Sequence, residues 1–152
     1  MDVYRSLKKY KLKIKGTQIY DPIREKYVHL TPEERVRQKT ICFLTDQLHV
    51  PKDCVIVEKS LSSLGDIGNR KRIDIGVLDS HHDLAAIIEC KADYVGDAES
   101  PYIQALDYTE TLRVKYYFVS DGYDIVGFQH ILQNNQFLKL DTLLDYSEII
   151  QP

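Results

Sequence analysis

Two acidic side chains and one lysine have the types and spacing suited to phosphodiester chemistry. Asp74 interrupts the Ile- and Val-rich segment 71–77, and Glu89 and Lys91 close a second apolar segment, 86–91. Both segments have the composition of β-strands, and a short polar stretch between them fits a hairpin. Because side chains alternate along a strand, an antiparallel pairing lets Asp74, Glu89 and Lys91 converge on one side of a sheet.

Charged groups inside apolar segments are costly unless they are paired or bound to a cation. Mg²⁺ prefers oxygen ligands and keeps several waters beside one or two carboxylates, and the backbone carbonyl of Cys90 offers a further oxygen. We therefore predict a Mg²⁺ site, open to Mn²⁺ as a substitute, at Asp74, Glu89 and Cys90. Lys91 would orient a water or neutralise phosphate charge during metal-assisted hydrolysis. A buried ion-pair network with no chemistry is the alternative.

Four short motifs follow one another along the chain: 31–38 (TPEERVRQ), 72–75 (RIDI), 89–92 (ECKA) and 104–108 (QALDY). Together they resemble the N-terminal nuclease domain of type I restriction enzyme R subunits, within the PD-(D/E)XK nuclease superfamily. The resemblance spans about residues 27–122. It implies a restriction-endonuclease-like αβββαβ core and a metal-dependent DNA endonuclease.

Two departures from the pattern accompany the resemblance. Ile73 stands where the superfamily has its proline, and nothing in the chain resembles the helicase motor of a full R subunit. The absent motor keeps a second class open, a DNA-binding or partner-docking module that retains the nuclease fold without cutting. The partners implied are DNA, restriction-modification or helicase subunits, and a second copy in a homodimer.

Gln104 and Tyr108 lie four residues apart on a helix predicted to begin at 100–101. On spacing alone, ordinary polarity of a helix surface explains such a pair. The resemblance instead assigns both residues to DNA binding near the metal.

An earlier helix begins with Thr31 as N-cap, Pro32 in the first turn and Glu34 completing a capping box. Its core-facing stripe is predicted as Val36, Thr40, Phe43, Leu44, Gln47 and Leu48. At 100° per residue Glu33 falls within this stripe and Glu34 outside it. We therefore predict that Glu33 supports the metal site, as a helix glutamate does in the superfamily. A Glu33–Arg37 pair is the alternative.

DNA contact requires local basic patches because the formal net charge is −3. Arg70 and Arg72 lead into the strand of Asp74, and this position predicts contact with phosphates. An N-terminal basic segment, residues 5–15, is more simply explained as a solvated surface. Glu58 is interpreted as a surface or salt-bridging residue outside the site.

The 152 residues are predicted to form a single domain, 1–152, with N-terminal strands and the basic segment, 1–30, packed on it. The fold class is α/β, with helices on both faces of a mixed sheet of about four or five strands, the first three a meander.

Isolated cysteines and the lack of a membrane-spanning stretch predict a cytoplasmic protein. Further elements are predicted at 17–20, 26–30, 54–58, 115–119 and 124–128 as strands, and at 141–146 as a closing helix.

Overall fold

Nine strands and two α-helices are assigned within residues 7–65, 67–92, 114–131, 133–134 and 136–152, the residues that this computed structural model describes. The strands are β1 (Ile14–Lys15), β2 (Gln18–Asp21), β3 (Lys26–His29), β4 (Val55–Ser60), β5 (Arg72–Leu78), β6 (Leu84–Cys90), β7 (Tyr116–Ser120), β8 (Ile125–Ile131) and β9 (Gln136–Lys139). The helices are α1 (Pro32–Asp46) and α2 (Tyr146–Ile149), and 3₁₀ turns occupy Leu7–Lys9, Lys52–Cys54 and Ser62–Leu64.

A six-stranded mixed sheet, in the order β4-β5-β6-β7-β8-β9, forms the centre of the fold. β4, β5 and β6 form an antiparallel meander, β6 and β7 run parallel, and β8 and β9 continue antiparallel. The predicted α/β class and the meander are confirmed. The sheet has six strands rather than four or five because β9, with a single buried side chain, carries little apolar signal.

The connection between β6 and β7 passes through residues 93–113, which lie outside the described residues. The helix predicted from 100–101, with Gln104 and Tyr108, falls in that segment. Parallel neighbours need a crossover of this length, since a hairpin can join only antiparallel strands.

Apolar side chains cover both faces of the sheet. One cluster packs beneath α1 and includes Phe43, Ile75 and Ile88, while the cluster on the opposite face includes Ile73 and Ile87. Ile73 and Ile75 are two residues apart on β5, yet they face opposite sides of the sheet. In a regular strand they would share a face, so β5 changes orientation at the residue between them, Asp74.

α1 begins as predicted at the N-cap Thr31, whose Oγ1 accepts the N–H of Glu34 at 3.0 Å, with Pro32 in the first turn. The predicted capping box is not formed, because the carboxylate of Glu34 binds Arg24, Arg37 and Gln38 instead. All of the predicted stripe is buried except Gln47, which is half-buried. The two strands predicted at 17–20 and 26–30 are confirmed as β2 and β3. β1 was not predicted, and the three strands pair antiparallel in the order β1-β2-β3.

The prediction of a closing helix at 141–146 is wrong. The helix spans Tyr146–Ile149 instead, and its N-cap is Asp145, which with Glu148 forms a capping box. The cap side chain of Asp145 fixes the start of the helix at the next residue, Tyr146.

Among the described residues, no helix combines the length and the apolar character needed to cross a membrane.

Candidate functional site

Asp74 lies where the ladder between β5 and β6 ends. The paired residues of the ladder reach Ile75 and Ile88, and beyond them the N–H of Cys90 donates to Oδ2 of Asp74 at 2.9 Å. A side-chain oxygen thus takes the place of a strand carbonyl, so the carboxylate lies in the opening between the two strands. The side chain of Asp74 keeps 21% of its surface exposed, which leaves it within reach of solvent.

Arg37 of α1 joins Asp74 to a second carboxylate. Its Nη2 donates to Oδ1 of Asp74 at 3.0 Å and also to Oε1 of Glu58. Glu58 stands opposite Asp74 in the β4–β5 register, between the pairs formed by its two neighbours. Since both oxygens contact one nitrogen, the two carboxylates lie within two hydrogen-bond lengths of each other.

The backbone of Glu58 adopts a positive φ of 56°. In a regular strand its side chain would point away from the face of Val55 and Val57, which pack beneath α1. The left-handed conformation, which costs a non-glycine residue about 1–2 kcal/mol, redirects the carboxylate towards Arg37. A strained residue beside Asp74 is typical of functional sites.

Glu34 connects this cluster to the N-terminal sheet. Its Oε1 accepts from Nη1 of Arg37 and from Nη2 of Arg24, each at 2.6 Å. Arg24 in turn donates to the fully buried Asp21 at 2.6 Å. Charges of alternating sign therefore run from β2 through α1 to β5, and we call Asp21, Arg24, Glu34, Arg37 and Asp74 the ion-pair chain.

The ion-pair chain controls the charge of its members. Burial by itself would lower the pKa of Arg37, but Glu34, Asp74 and Glu58 outweigh it and raise the pKa above its usual value. Burial likewise tends to raise the pKa of Asp21, yet the hydrogen bonds from Arg24 and Ile23 leave it below its usual value. Arg37 thus stays cationic and Asp21 anionic near neutral pH.

The prediction that Glu33 lies in the buried stripe of α1 is wrong. Glu33 is exposed, whereas Glu34 is buried. The alternative of a Glu33–Arg37 pair does not hold either, because the guanidinium of Arg37 binds Glu34, Glu58 and Asp74.

The error arose from counting apolar residues alone. Glu34, Arg37 and Gln38 repeat at i, i+3 and i+4 and lead into Ile41, so they continue the buried face with polar residues that satisfy one another. Glu34 does receive the cap bond on its N–H, but its carboxylate binds arginines.

Glu89 and Lys91 form the second half of the site. Nζ of Lys91 lies 3.8 Å from Oε1 of Glu89, and the two side chains are 35% and 19% exposed, respectively. The N–H of Lys91 donates to the carbonyl of Ser120 at 2.8 Å, which anchors the end of β6 to β7. Continuing the register of Ile75 and Ile88 by one pair places Glu89 beside Asp74.

The contacts therefore join these side chains into two groups, one around Arg37 and one formed by Glu89 and Lys91. On β6, Glu89 alternates with Ile88 and Cys90, which pack beneath α1. Its side chain is therefore directed to the other face of the sheet from α1, while the register places its backbone beside that of Asp74. Burial raises the pKa of the Cys90 thiol well above its usual value, so the thiol stays neutral.

The remaining predicted residues lie around this opening or outside the described residues. Arg72 is exposed, with Nη1 3.7 Å from Oε2 of Glu58, and Arg70 is exposed in the preceding turn. Gln104 and Tyr108 fall outside the described residues. In the parts of the chain that are described, no three His, Cys, Asp or Glu side chains group together in a way that could hold a metal ion.

Reasoning from the sequence missed Arg37 and misjudged Glu34, while it named Glu58 only as a salt-bridging residue. Its salt-bridging role is confirmed, since it pairs with Arg37, but Glu58 lies beside Asp74 and not outside the site. Its proximity to Asp74 was accessible from the predicted meander, in which residues of β4 lie opposite those of β5.

The fold is that of an α/β domain with a nuclease-like core. It consists of a helix, a three-stranded meander and a parallel fourth strand, and acidic and basic side chains lie at the opening between two of the strands. Residues 32–143 match the family described as the type I restriction enzyme R protein N terminus (HSDR_N). The chain belongs to this family, which confirms the resemblance of the sequence motifs to the N terminus of type I restriction enzyme R subunits. The matched segment contains α1 and all six strands of the central sheet. No curated protein matches the chain.

Proposed function

We propose that this chain is a metal-dependent DNA endonuclease of the PD-(D/E)XK type, the nuclease module of a restriction system. The observation that carries the proposal is the position of Asp74 in the opening between β5 and β6, next in register to Glu89, which pairs with Lys91. Membership of the type I restriction enzyme R family supports the same assignment.

The donor set fits a hard divalent cation. Asp74, Glu89 and the carbonyl of Cys90 offer only oxygen ligands, and Mg²⁺ commonly uses one or two carboxylates with water filling the other positions. Both carboxylate side chains are partly exposed, so an ion can reach them. When bound there, Mg²⁺ or Mn²⁺ would polarise the phosphate and lower the pKa of a bound water.

The protein's own side chains supply orientation and positive charge. Lys91, held at Glu89, would donate to a phosphate oxygen or to the attacking water. Arg37 fixes the carboxylate of Asp74 through Oδ1, and Glu34 holds Arg37 in turn. Because Arg37 and Lys91 already partly neutralise these acids, an incoming phosphate meets less negative charge.

DNA and the other subunits of a restriction-modification complex are the partners that we propose from the family. Arg70 and Arg72 are exposed at the entrance to β5, where they would contact the phosphate backbone. Gln104 and Tyr108 would add contacts to DNA. A helicase motor, when needed to deliver DNA, would come from a separate segment or subunit.

Cleavage of supercoiled plasmid in Mg²⁺ or Mn²⁺ tests the proposal. We expect Asp74→Asn and Lys91→Met to reduce nicking and linearisation at least about 100-fold, while DNA binding in EDTA, measured by gel shift, is retained. Asp83→Asn and Lys52→Met, at exposed positions away from the opening, are matched controls that should cut normally. Undiminished cleavage by either site variant would refute the assigned roles.

A second candidate is a module that binds DNA or a partner without cutting. The observation that favours it is the existing neutralisation of Asp74 by Arg37 and of Glu89 by Lys91. Calorimetric titration with Mn²⁺ separates the two candidates. Heat of binding that Asp74→Asn abolishes supports the nuclease, whereas no binding in the wild-type protein, with DNA binding intact, supports the alternative.

A further inference from the structure

A groove of about 400 Å³ opens beside the proposed catalytic centre. Thr31 and Arg35 of the α1 region form one wall, and Gly122 and Tyr123 of the β7–β8 turn form the other. Ala92, the residue after Lys91, also lines it. The Cα atoms of Lys91 and Ala92 are one residue step of about 3.8 Å apart, so the groove adjoins the end of β6. Ligands of α/β sheets commonly bind at the carboxyl ends of parallel strands, where β6 and β7 end here.

An exposed aromatic ring stands in this groove with two lysine side chains nearby. Tyr123 retains 52% of its surface exposed. Nζ of Lys39 lies 5.1 Å from the centre of its ring, and Nζ of Lys8 lies 5.3 Å from it. Arg35 adds a further positive charge to the lining.

The turn that carries Tyr123 is firmly built. Oδ1 of Asp121 accepts the N–H groups of Tyr123 and Asp124 at 2.8 and 2.7 Å. Gly122, at a φ of 87°, donates its N–H to the hydroxyl of Ser120 at 3.2 Å. Asp121 is itself buried and directed into the turn. Asp121 also lines the groove, but it is buried and its Oδ1 is bound by the turn, so the more exposed charges of the lining are those of Arg35 and Lys39.

Resting on the proposed nuclease function, we propose that this groove binds an unpaired nucleotide of the DNA substrate. The base would stack on Tyr123, and the flanking phosphates would contact Lys8, Lys39 and Arg35. An aromatic ring with neighbouring cations is the usual means of binding single-stranded nucleic acid, since every base offers a π-face. The volume is that of a small-molecule site, and a base must be unpaired to present its face.

Fluorescence anisotropy with the full chain in EDTA tests the groove, because no cleavage occurs there. The probes are a labelled single strand of about 12 nucleotides and a blunt duplex of the same sequence. Tyr123→Ala should raise the Kd for the single strand about 5- to 150-fold, since base stacking contributes about 1–3 kcal/mol. Tyr123→Phe, which keeps the ring, should bind within about twofold of wild type.

Salt dependence gives a second readout. Lys39→Met should reduce the slope of log K against log salt for the single strand by about 0.7, the loss of one phosphate contact. Lys139→Met, at an exposed site on β9, is the matched control and should leave the slope unchanged. Circular dichroism verifies that each variant is folded.

If Tyr123→Ala binds the single strand with wild-type affinity, the proposal that the groove binds an unpaired nucleotide is wrong. An equal loss of affinity for duplex and single strand would overturn it too, since that pattern indicates backbone contact without stacking. Asp74→Asn distinguishes this proposal from the nuclease: it should bind the single strand normally and fail to cut. If the wild-type protein binds through Tyr123 but never cleaves, the groove stands and the proposed endonuclease activity falls.

Discussion

Arg37 holds three carboxylates of the site, and its replacement by methionine should destabilise the protein sharply. The change keeps the length of the side chain and removes the guanidinium. Glu34, Glu58 and Asp74 would each lose their contact with Arg37. Glu34 is buried and retains Arg24 and Gln38, whereas the other two reach solvent in part.

The magnitude follows from this difference in exposure. Removing one partner of a buried ion pair costs about 3–5 kcal/mol. Because solvent screens Asp74 and Glu58, we expect the lower end, about 3 kcal/mol. For a domain of this size, such a loss corresponds to a fall in Tm of about 6–12 °C.

Urea unfolding, followed by circular dichroism, measures the effect. Arg35→Met lies on the same helix at an exposed position, and as the matched control it should change stability by no more than about 0.5 kcal/mol. Adding Glu34→Gln to Arg37→Met should destabilise the protein by less than the sum of the two single changes, because both remove the same ion pair. Equal stability of Arg37→Met and Arg35→Met would refute the view that the ion-pair chain is a structural support of the site.

Two further predictions concern Asp21, at one end of the ion-pair chain, and Gly76, near Asp74 at the other end. The pKa of Asp21 is lowered in the folded protein, so its contribution to stability is present above its unfolded pKa of about 3.9 and is lost as the pH falls below that value. In urea unfolding, the stability difference between wild type and Asp21→Asn should therefore shrink from about pH 6 to about pH 3. A difference that stays constant over this range would contradict the prediction. Gly76, two residues after Asp74, leaves no room for a methyl group, since a Cβ there would lie 2.8 Å from Cγ1 of Ile56 and 2.9 Å from Cδ1 of Leu84. Gly76→Ala should thus lower the free energy of unfolding by about 1–3 kcal/mol, as measured by thermal unfolding. An unchanged Tm would show that the side chains of β4 and β6 can move aside to accommodate the methyl group.

The sequence predicted those features that depend on local pattern. Apolar runs with turn residues between them gave the meander and the hairpin that brings Asp74 next to Glu89. The cap at Thr31 and the proline after it gave the start of α1. These signals are strong because they arise within a few residues of one another.

Features that depend on distant partners escaped prediction. Glu34 is buried only because Arg24 and Arg37 meet it from two directions, and Arg24 reaches it from the β2–β3 turn. The redirected side chain of Glu58 depends on a backbone conformation that no residue type announces. Buried charged residues of this kind resemble surface residues in a hydrophobicity pattern, since the pattern records the residue and not its partner.

The central claim is that the carboxylates of Asp74 and Glu89 bind one common cation. Anomalous diffraction from crystals soaked in Mn²⁺ tests this most directly, because the scattering locates the ion independently of the protein atoms. We predict one peak within about 2.0–2.6 Å of an oxygen of each carboxylate. A wild-type crystal without a peak there, or with an ion bound by only one of the two acids, would contradict the claim.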